Sequence, residues 1–194
     1  ITLQNIQARS RSPIIWMLAN INHSLLLTTS NRSEGDVGYT TMDGDTSGSI
    51  SPIAGVDKYF IMEWLKYAET TLKYTGLSHV NNLTPTAELR PLNKKQEDET
   101  DLMPFQVLVE IELWAIQHKY SPTMIYEKMK PAYGADIKSW IKKFFRLWSI
   151  NQWKRERLAP SFHMDAFNVD PRTWCRFPIL SSGFKEELDE LDKI

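Results

Sequence analysis

Apolar residues recur at helical spacing through residues 1–22, at Ile6, Ile14, Met17, Leu18 and Ile21, and predict an amphipathic helix. Pro13 lacks a backbone donor, so the pattern predicts either a kink there or a fresh helix start near Ser12. Leu25, Leu26 and Leu27 lead into Thr28 and Thr29, a short apolar run bounded by polar residues that reads as a buried, parallel strand. The pattern then lapses. Residues 30–51 hold four of the chain's 8 glycines, several hydroxyls and Asp36, Asp43 and Asp45. A long loop between closely flanking elements points to function. Asp57 opens a helix whose apolar face runs Phe60, Ile61, Trp64, Leu65, Ala68 and Leu72, with Gly76 as its stop. Residues 77–103 read as loop. Three helices follow: Pro104 to Lys119 with Leu108, Ile111 and Ala115 inward, one opened by Ser121-Pro122, and one capped by Asp136. The last carries Ile137, Trp140, Ile141, Phe144, Phe145 and Trp148 on one face. Residues 153–194 have no clean period. The chain therefore reads as α/β in front and helical behind. One strand is not a sheet, so its partners are expected upstream or in another chain.

Composition changes this picture little. The chain has 194 residues, 42% hydrophobic and 24% charged, which excludes a disordered, collagenous or disulfide-scaffold protein. Lys plus Arg number 23 against 24 Asp plus Glu, a formal net charge of -1. No global positive field exists to gather phosphates, which argues against non-specific nucleic-acid binding but not against one phosphorylated ligand held locally. The single cysteine, Cys175, fits a reducing, cytoplasmic setting. No apolar run is long enough for a bilayer and no signal-peptide pattern is present. The first residue is Ile1, inside a helical pattern, so the chain is expected to be a piece of a longer protein.

Candidate chemistry gathers after the expected strand. Thr28-Thr29-Ser30-Asn31-Arg32-Ser33-Glu34 places hydroxyls, a base and a carboxylate where open α/β sheets bind ligands. The same residues also suit helix capping, with Ser30, Asn31 or Ser33 as cap and Glu34 near the positive helix end. Thr46-Ser47-Gly48-Ser49 reads as a phosphate nest or as a plain turn. Asp43 and Asp45 could ligate Mg²⁺, orient Lys58 or satisfy turn amides. Lys58 opens a helix against its dipole, which hints at an anionic ligand. His23, His79, His118 and His163 show no metal spacing.

Taken in order, these stretches resemble the NAD⁺ synthetase family. Gln4-Asn5-Ile6-Gln7-Ala8-Arg9-Ser10-Arg11 is similar to its Asn-Ile-x-Ala-Arg helix, and Thr28 through Glu34 with Val37-Gly38-Tyr39-Thr40-Thr41 and Gly44-Asp45 resembles its central signature. Ser51 through Lys58, Pro85-Thr86-Ala87-Glu88-Leu89-Arg90-Pro91, Gln96 through Met103 and Trp153-Lys154-Arg155 resemble the later blocks. The wording most resembles that of the bacterial glutamine-dependent branch, in which a glutaminase domain precedes the synthetase domain.

The resemblance implies an adenine-nucleotide α-hydrolase-like α/β fold, a parallel sheet flanked by helices. The chain would be its C-terminal part, with residues 1–160 in the domain and 161–194 as a tail. It implies ATP-dependent amidation of deamido-NAD to NAD⁺ through an adenylated intermediate, with Mg²⁺ and with ammonia drawn from glutamine. By position, Thr29, Lys58 and Thr86 would contact ATP. Glu34 would sit at Mg²⁺ and the reacting nicotinate, and Asn5, Arg9 and Lys154 would hold deamido-NAD. The family pairs as dimers, and the first helix is expected at that interface. The phosphate loop Ser-Gly-Gly-x-Asp-Ser is absent from the sequence, so these 194 residues alone are expected to be inactive. Short family members carry lysine and aspartate where this chain has Met42 and Ser49. Two other readings are another amide-forming ATP pyrophosphatase of the GMP-synthetase kind and a non-catalytic helical interaction module.

Overall fold

The structure, a computed structural model, describes residues 2–86, 98–166, 168–173, 176–181 and 183–194. Residues 87–97 and Cys175, on which part of the Pro-Thr-Ala block, the start of the acidic run at Glu97 and the lone thiol fall, lie outside the described residues.

Helix α1 spans Thr2–Ile21 with Pro13 inside it. No new helix begins at Ser12. That hydroxyl instead meets Ser47 Oγ at 2.7 Å. The helix packs through small residues. A Cβ on Gly44 would stand 2.9 Å from the Ala8 backbone, so only glycine allows this approach of α1 to the 41–48 turn. Its large apolar side chains, Ile6, Ile14, Met17, Leu18 and Ile21, are exposed.

The expected strand is corrected. Among the described residues Leu25 to Thr29 contributes one isolated parallel bridge, Leu27 to Ile50, and a second joins Ser51 to Ser161. Leu25 is 73% and Leu27 55% exposed, so the run is not buried. The parallel sense agrees with the sequence reading; the burial does not, because among the described residues no neighbouring strand lies on the open side. A short helix α2, Arg32–Val37, follows within the expected loop. Asn31 caps it by a full capping box: Asn31 Oδ1 accepts from Glu34 N at 3.0 Å, and Glu34 Oε2 accepts from Asn31 N at 3.3 Å. Gly38 closes it with φ 64°.

Asp57 caps α3, Lys58–Thr70, its Oδ1 accepting from Phe60 N at 2.6 Å. The helix stops at Thr70, short of Gly76, which sits in a 3₁₀ turn, Thr75–Leu77. Two short helices, α4 (Ser78–Asn81) and α5 (Asp98–Asp101), fall in the expected loop. Helix α6, Phe105–Glu112, continues as a π turn, Leu113–Gln117. Helix α7, Pro122–Tyr133, starts at its Ser121 cap, and α8 covers Ile137–Ile150. Asp136 holds the cap position of α8 without a side-chain bond, so packing rather than capping fixes that end. Helix α9, Gln152–Arg155, and α10, Lys185–Asp192, complete the chain.

The core lies between α6, α7, α8 and α10. Leu108, Ile111, Ile125, Met129, Ile141 and Phe144 are fully buried, and Leu191 of α10 and Val169 join them. Each such side chain contributes about 1.5–3 kcal/mol by leaving water. Among the described residues no helix is long and apolar enough to cross a membrane.

Candidate functional site

A cleft of about 610 Å³ opens between three stretches of chain. Thr29, Ser30, Asn31 and Glu34 form one wall, continued by Tyr39, Thr40 and Asp45. The α3 positions Lys58, Ile61, Met62, Leu65 and Lys66 form the second, and Val80, Asn81 and residues 83–86 the third. Helix α3 thus turns Ile61 and Leu65 to the cleft. Of its predicted apolar face only Ala68 is buried, while Phe60, Trp64 and Leu72 are exposed. Periodicity named an apolar stripe; it did not say what the stripe faces.

Four predicted residues, Thr29, Glu34, Lys58 and Thr86, share this cleft. Glu34 Oε1 lies 3.9 Å from Lys58 Nζ. The capping box fixes the carboxylate, and the Asp57 cap fixes the first turn of α3. The carboxylate that closes the capping box is therefore also one that lines the cleft. Asp45 carries two tasks. Its Oδ2 accepts from Thr41 N at 2.7 Å, and its carbonyl accepts from Thr28 Oγ1 at 2.8 Å.

Asn5, Arg9 and Lys154 do not line the cleft. Asn5 is half-buried on α1. Arg9, one turn on, donates from Nε to Met42 O at 2.8 Å. Lys154 donates to Gly38 O at 2.7 Å and Thr40 O at 2.9 Å, which anchors the wall that Thr40 forms. Burial pulls the Lys154 ammonium below its ordinary pKa. Of the two readings of residues 46–49 the turn prevails. Thr46, Ser47 and Ser49 amides donate to Thr41 O, Gly44 O and Leu26 O, so they are spent inside the fold. Asp43 pairs with Arg157 at 2.7 Å on the surface.

Sequence reasoning named Arg32, Asp36 and Arg155 within candidate stretches but missed Glu112 and the burial of all four. Arg32, Arg155, Asp36 and Glu112 are all buried. Arg32 reaches Asp57 Oδ2 at 3.1 Å, Asp165 Oδ2 at 2.5 Å, Gly55 O at 3.1 Å and Glu112 Oε2 at 3.5 Å. Arg155 donates to the carbonyls of Asp36 (2.6 Å) and Trp148 and to Gln152 Oε1. Burial pushes Asp36 up to about 7 against the pull of Arg32 and Arg155, and it pushes Glu112 well above the carboxylate range. The sequence marks Arg32 as a base beside Glu34, Asp36 as a loop carboxylate and Arg155 as part of a basic stretch, and none of these signals foretells burial.

Among the described residues no group of three or more His, Cys, Asp or Glu converges on one point. The donor set of the cleft is instead two carboxylates, Glu34 and Asp45, with hydroxyls and carbonyls. That set fits Mg²⁺, which takes one or two carboxylates and completes its shell with phosphate oxygens and water.

The NAD synthase family model matches residues 1–157. A glutamine-dependent NAD(+) synthetase of Arabidopsis thaliana is 32% identical over 99% of this chain and 29% of its own length. One from Aquifex aeolicus is 33% identical over 94% of this chain and 30% of its own. A glutamine-dependent NAD(+) synthetase from Cytophaga hutchinsonii has a solved structure that superposes with a TM-score of 0.81. It is 58% identical and covers 98% of this chain and 30% of that one. The chain thus spans under a third of the length of these relatives. Matched along most of its residues by the family model, and in fold by a relative of high identity, the chain belongs to the NAD synthase family.

Proposed function

We propose that this chain is the C-terminal part of a glutamine-dependent NAD⁺ synthetase. Residues 1–160 belong to its synthetase domain, of adenine-nucleotide α-hydrolase type with a parallel sheet, and 161–194 form a tail. The observation that carries the reading is the meeting of Thr29, Glu34, Lys58 and Thr86, from separated stretches, around one cleft in a chain of this family.

The chemistry explains the residue types. A carboxylate is a poor acyl donor, so the nicotinate carboxylate of deamido-NAD first attacks the α-phosphorus of ATP and releases pyrophosphate. Ammonia then attacks the acyl carbon and displaces AMP, giving the amide. Negative charge builds on phosphate oxygens in the first step, where cations and hydroxyls must already be aimed. Thr29, Lys58 and Thr86 serve ATP. Glu34, with Asp45 on the same wall of the cleft, would hold Mg²⁺, which neutralises phosphate charge when bound. Asn5, Arg9 and Lys154 serve deamido-NAD around the 38–42 segment that Arg9 and Lys154 brace. The exposed apolar face of α1 and the open edge at Leu25 and Leu27 are covered by the rest of the polypeptide or a second copy. The protein works in the cytoplasm.

The test is NAD⁺ formation by the full-length protein from deamido-NAD, ATP and ammonia or glutamine. Turnover of xanthosine monophosphate in preference to deamido-NAD would refute it in favour of a GMP-synthetase-like ligase, and absence of nucleotide affinity would leave an interaction module. The 194-residue chain alone is expected to be inactive, because no Ser-Gly-Gly-x-Asp-Ser loop occurs in it.

A further inference from the structure

We propose that Arg32 is the positioning residue of the cleft, a buried guanidinium that sets the spacing of Glu34 and Lys58 by tying α2 to the N-terminus of α3. The inference rests on the function proposed above and adds a residue that reading leaves without a role.

Glu34 and Lys58 belong to different helices, and their 3.9 Å separation depends on how those helices meet. Three bonds stitch the junction. Arg32 N donates to Val56 O at 2.9 Å, Lys58 N donates to Ser33 Oγ at 3.3 Å, and Arg32 Nη2 donates to Asp57 Oδ2 at 3.1 Å. Asp57 is the pivot. Its other oxygen caps α3, so the carboxylate that receives Arg32 also starts the helix that carries Lys58. Arg32 Nη1 meanwhile holds Gly55 O and Asp165, and Nε faces Glu112 of α6. The guanidinium thus fixes α2 against the 55–57 turn, the core helix α6 and the 161–166 segment at once.

The side chain is 1% exposed. Desolvating a guanidinium this fully is costly, and ion pairs often only offset that cost, so the cluster is a poor device for stability. It is a good device for direction. A planar fork holds acceptors at fixed angles, whereas a lysine ammonium is a point on a flexible stem. Misplacement of reacting groups by about 1 Å can lower rates about a hundredfold.

The experiment uses the full-length protein with Arg32→Lys, Arg32→Met and Asp57→Asn, and Ile141→Ala as a core variant remote from the cleft. Asn still caps a helix, so Asp57→Asn keeps α3 and weakens only the tie to Arg32. Calorimetric titration with Mg-ATP and steady-state kinetics are read beside the melting temperature. We expect Arg32→Lys and Asp57→Asn to weaken ATP binding and lower kcat/KM for ATP by about ten- to a hundredfold. Arg32→Met should be worse than Arg32→Lys. Ile141→Ala should melt earlier with an unchanged ATP dissociation constant. ATP binding within twofold of wild type in both Arg32→Lys and Asp57→Asn would overturn the proposal, as would losses that simply follow melting temperature across all four variants. Should the wild-type protein bind ATP yet fail to amidate deamido-NAD, the proposed function falls, while the calorimetric comparison still decides the role of Arg32.

Discussion

Replacing Lys58 by Met separates a binding role from a structural one, because the two predict effects of different size. At 3.9 Å the Lys58–Glu34 pair has a Coulomb energy of about 4 kcal/mol at an effective dielectric of about 20. The side chains are 23% and 27% exposed, however, and such water-screened pairs have a net value of about 0–1 kcal/mol. Glu34 also keeps its bond from Asn31 N when Lys58 is removed. Lys58→Met should therefore lower stability by less than about 1 kcal/mol, a melting shift of at most about 2–4 °C. Its effect on a bound polyphosphate is larger. A charge-assisted hydrogen bond in a sheltered site contributes about 1.5–3 kcal/mol, which is about ten- to 150-fold in a dissociation constant. Titration of the full-length protein with ATP, beside a thermal melt, reads both quantities. Wild-type ATP affinity in Lys58→Met, or a stability loss above about 3 kcal/mol, would refute the reasoning, because a loss that large belongs to a buried pair.

Three further outcomes test the frame of the cleft. Gly38→Ala should cost about 2–4 kcal/mol in urea unfolding, combining left-handed strain at φ 64° with displacement of Asn151, whose bond to Val37 O is 2.8 Å; a loss below about 1 kcal/mol would contradict the geometry. Asn31→Ala should cost about 1–2 kcal/mol while Asn31→Asp stays within a few tenths, since both Asn and Asp accept from Glu34 N; equal losses would show that the cap is not what matters. Burial raises the Asp170 pKa, but the Arg172 and Ser161 hydrogen bonds outweigh it and hold the carboxyl below its ordinary range. A depressed folded-state value stabilises above the unfolded pKa and is lost as pH falls through the folded one. Asp170→Asn should thus be destabilised at pH 7, with the gap to wild type closing below about pH 4; a gap independent of pH would refute the assignment.

The helices were legible where burial and period agree. Ile137, Ile141, Phe144, Phe145 and Trp148 share one face of α8 and all enter the core. Ser121-Pro122 marks the start of α7 for a local reason, since the hydroxyl accepts from Met124 N and the proline needs no donor there. The same logic overreached at Leu25–Thr29, while on α1 it gave the helix and an apolar face that stays exposed in the single chain. An apolar period says that a surface needs covering, not that these residues supply the cover. Gly76 failed for another reason. Helix α3 ends six residues earlier, Lys73 takes the left-handed conformation at φ 64°, and no Cβ conflict exists at Gly76.

The cleft divides along the same line. Thr29 and Thr86 rest on the resemblance of their motifs, whereas Glu34 and Lys58 were legible because each sits in the first turn of a helix, where capping signals are local and a few residues suffice to read them. Arg32 was not, since its environment comes from Asp57, Glu112 and Asp165, three positions that no spacing rule connects. A motif displays the side chains that meet a ligand, while the groups that aim those side chains are distributed by tertiary packing. In this chain both kinds stand on one six-residue helix: Glu34 turns to the cleft, and Arg32, two residues earlier, turns to the interior. Helix α2 has too few backbone bonds to hold its own direction. Its capping box fixes the start, and the buried guanidinium fixes where the helix points. The precision of the cleft therefore depends on a residue that never touches it.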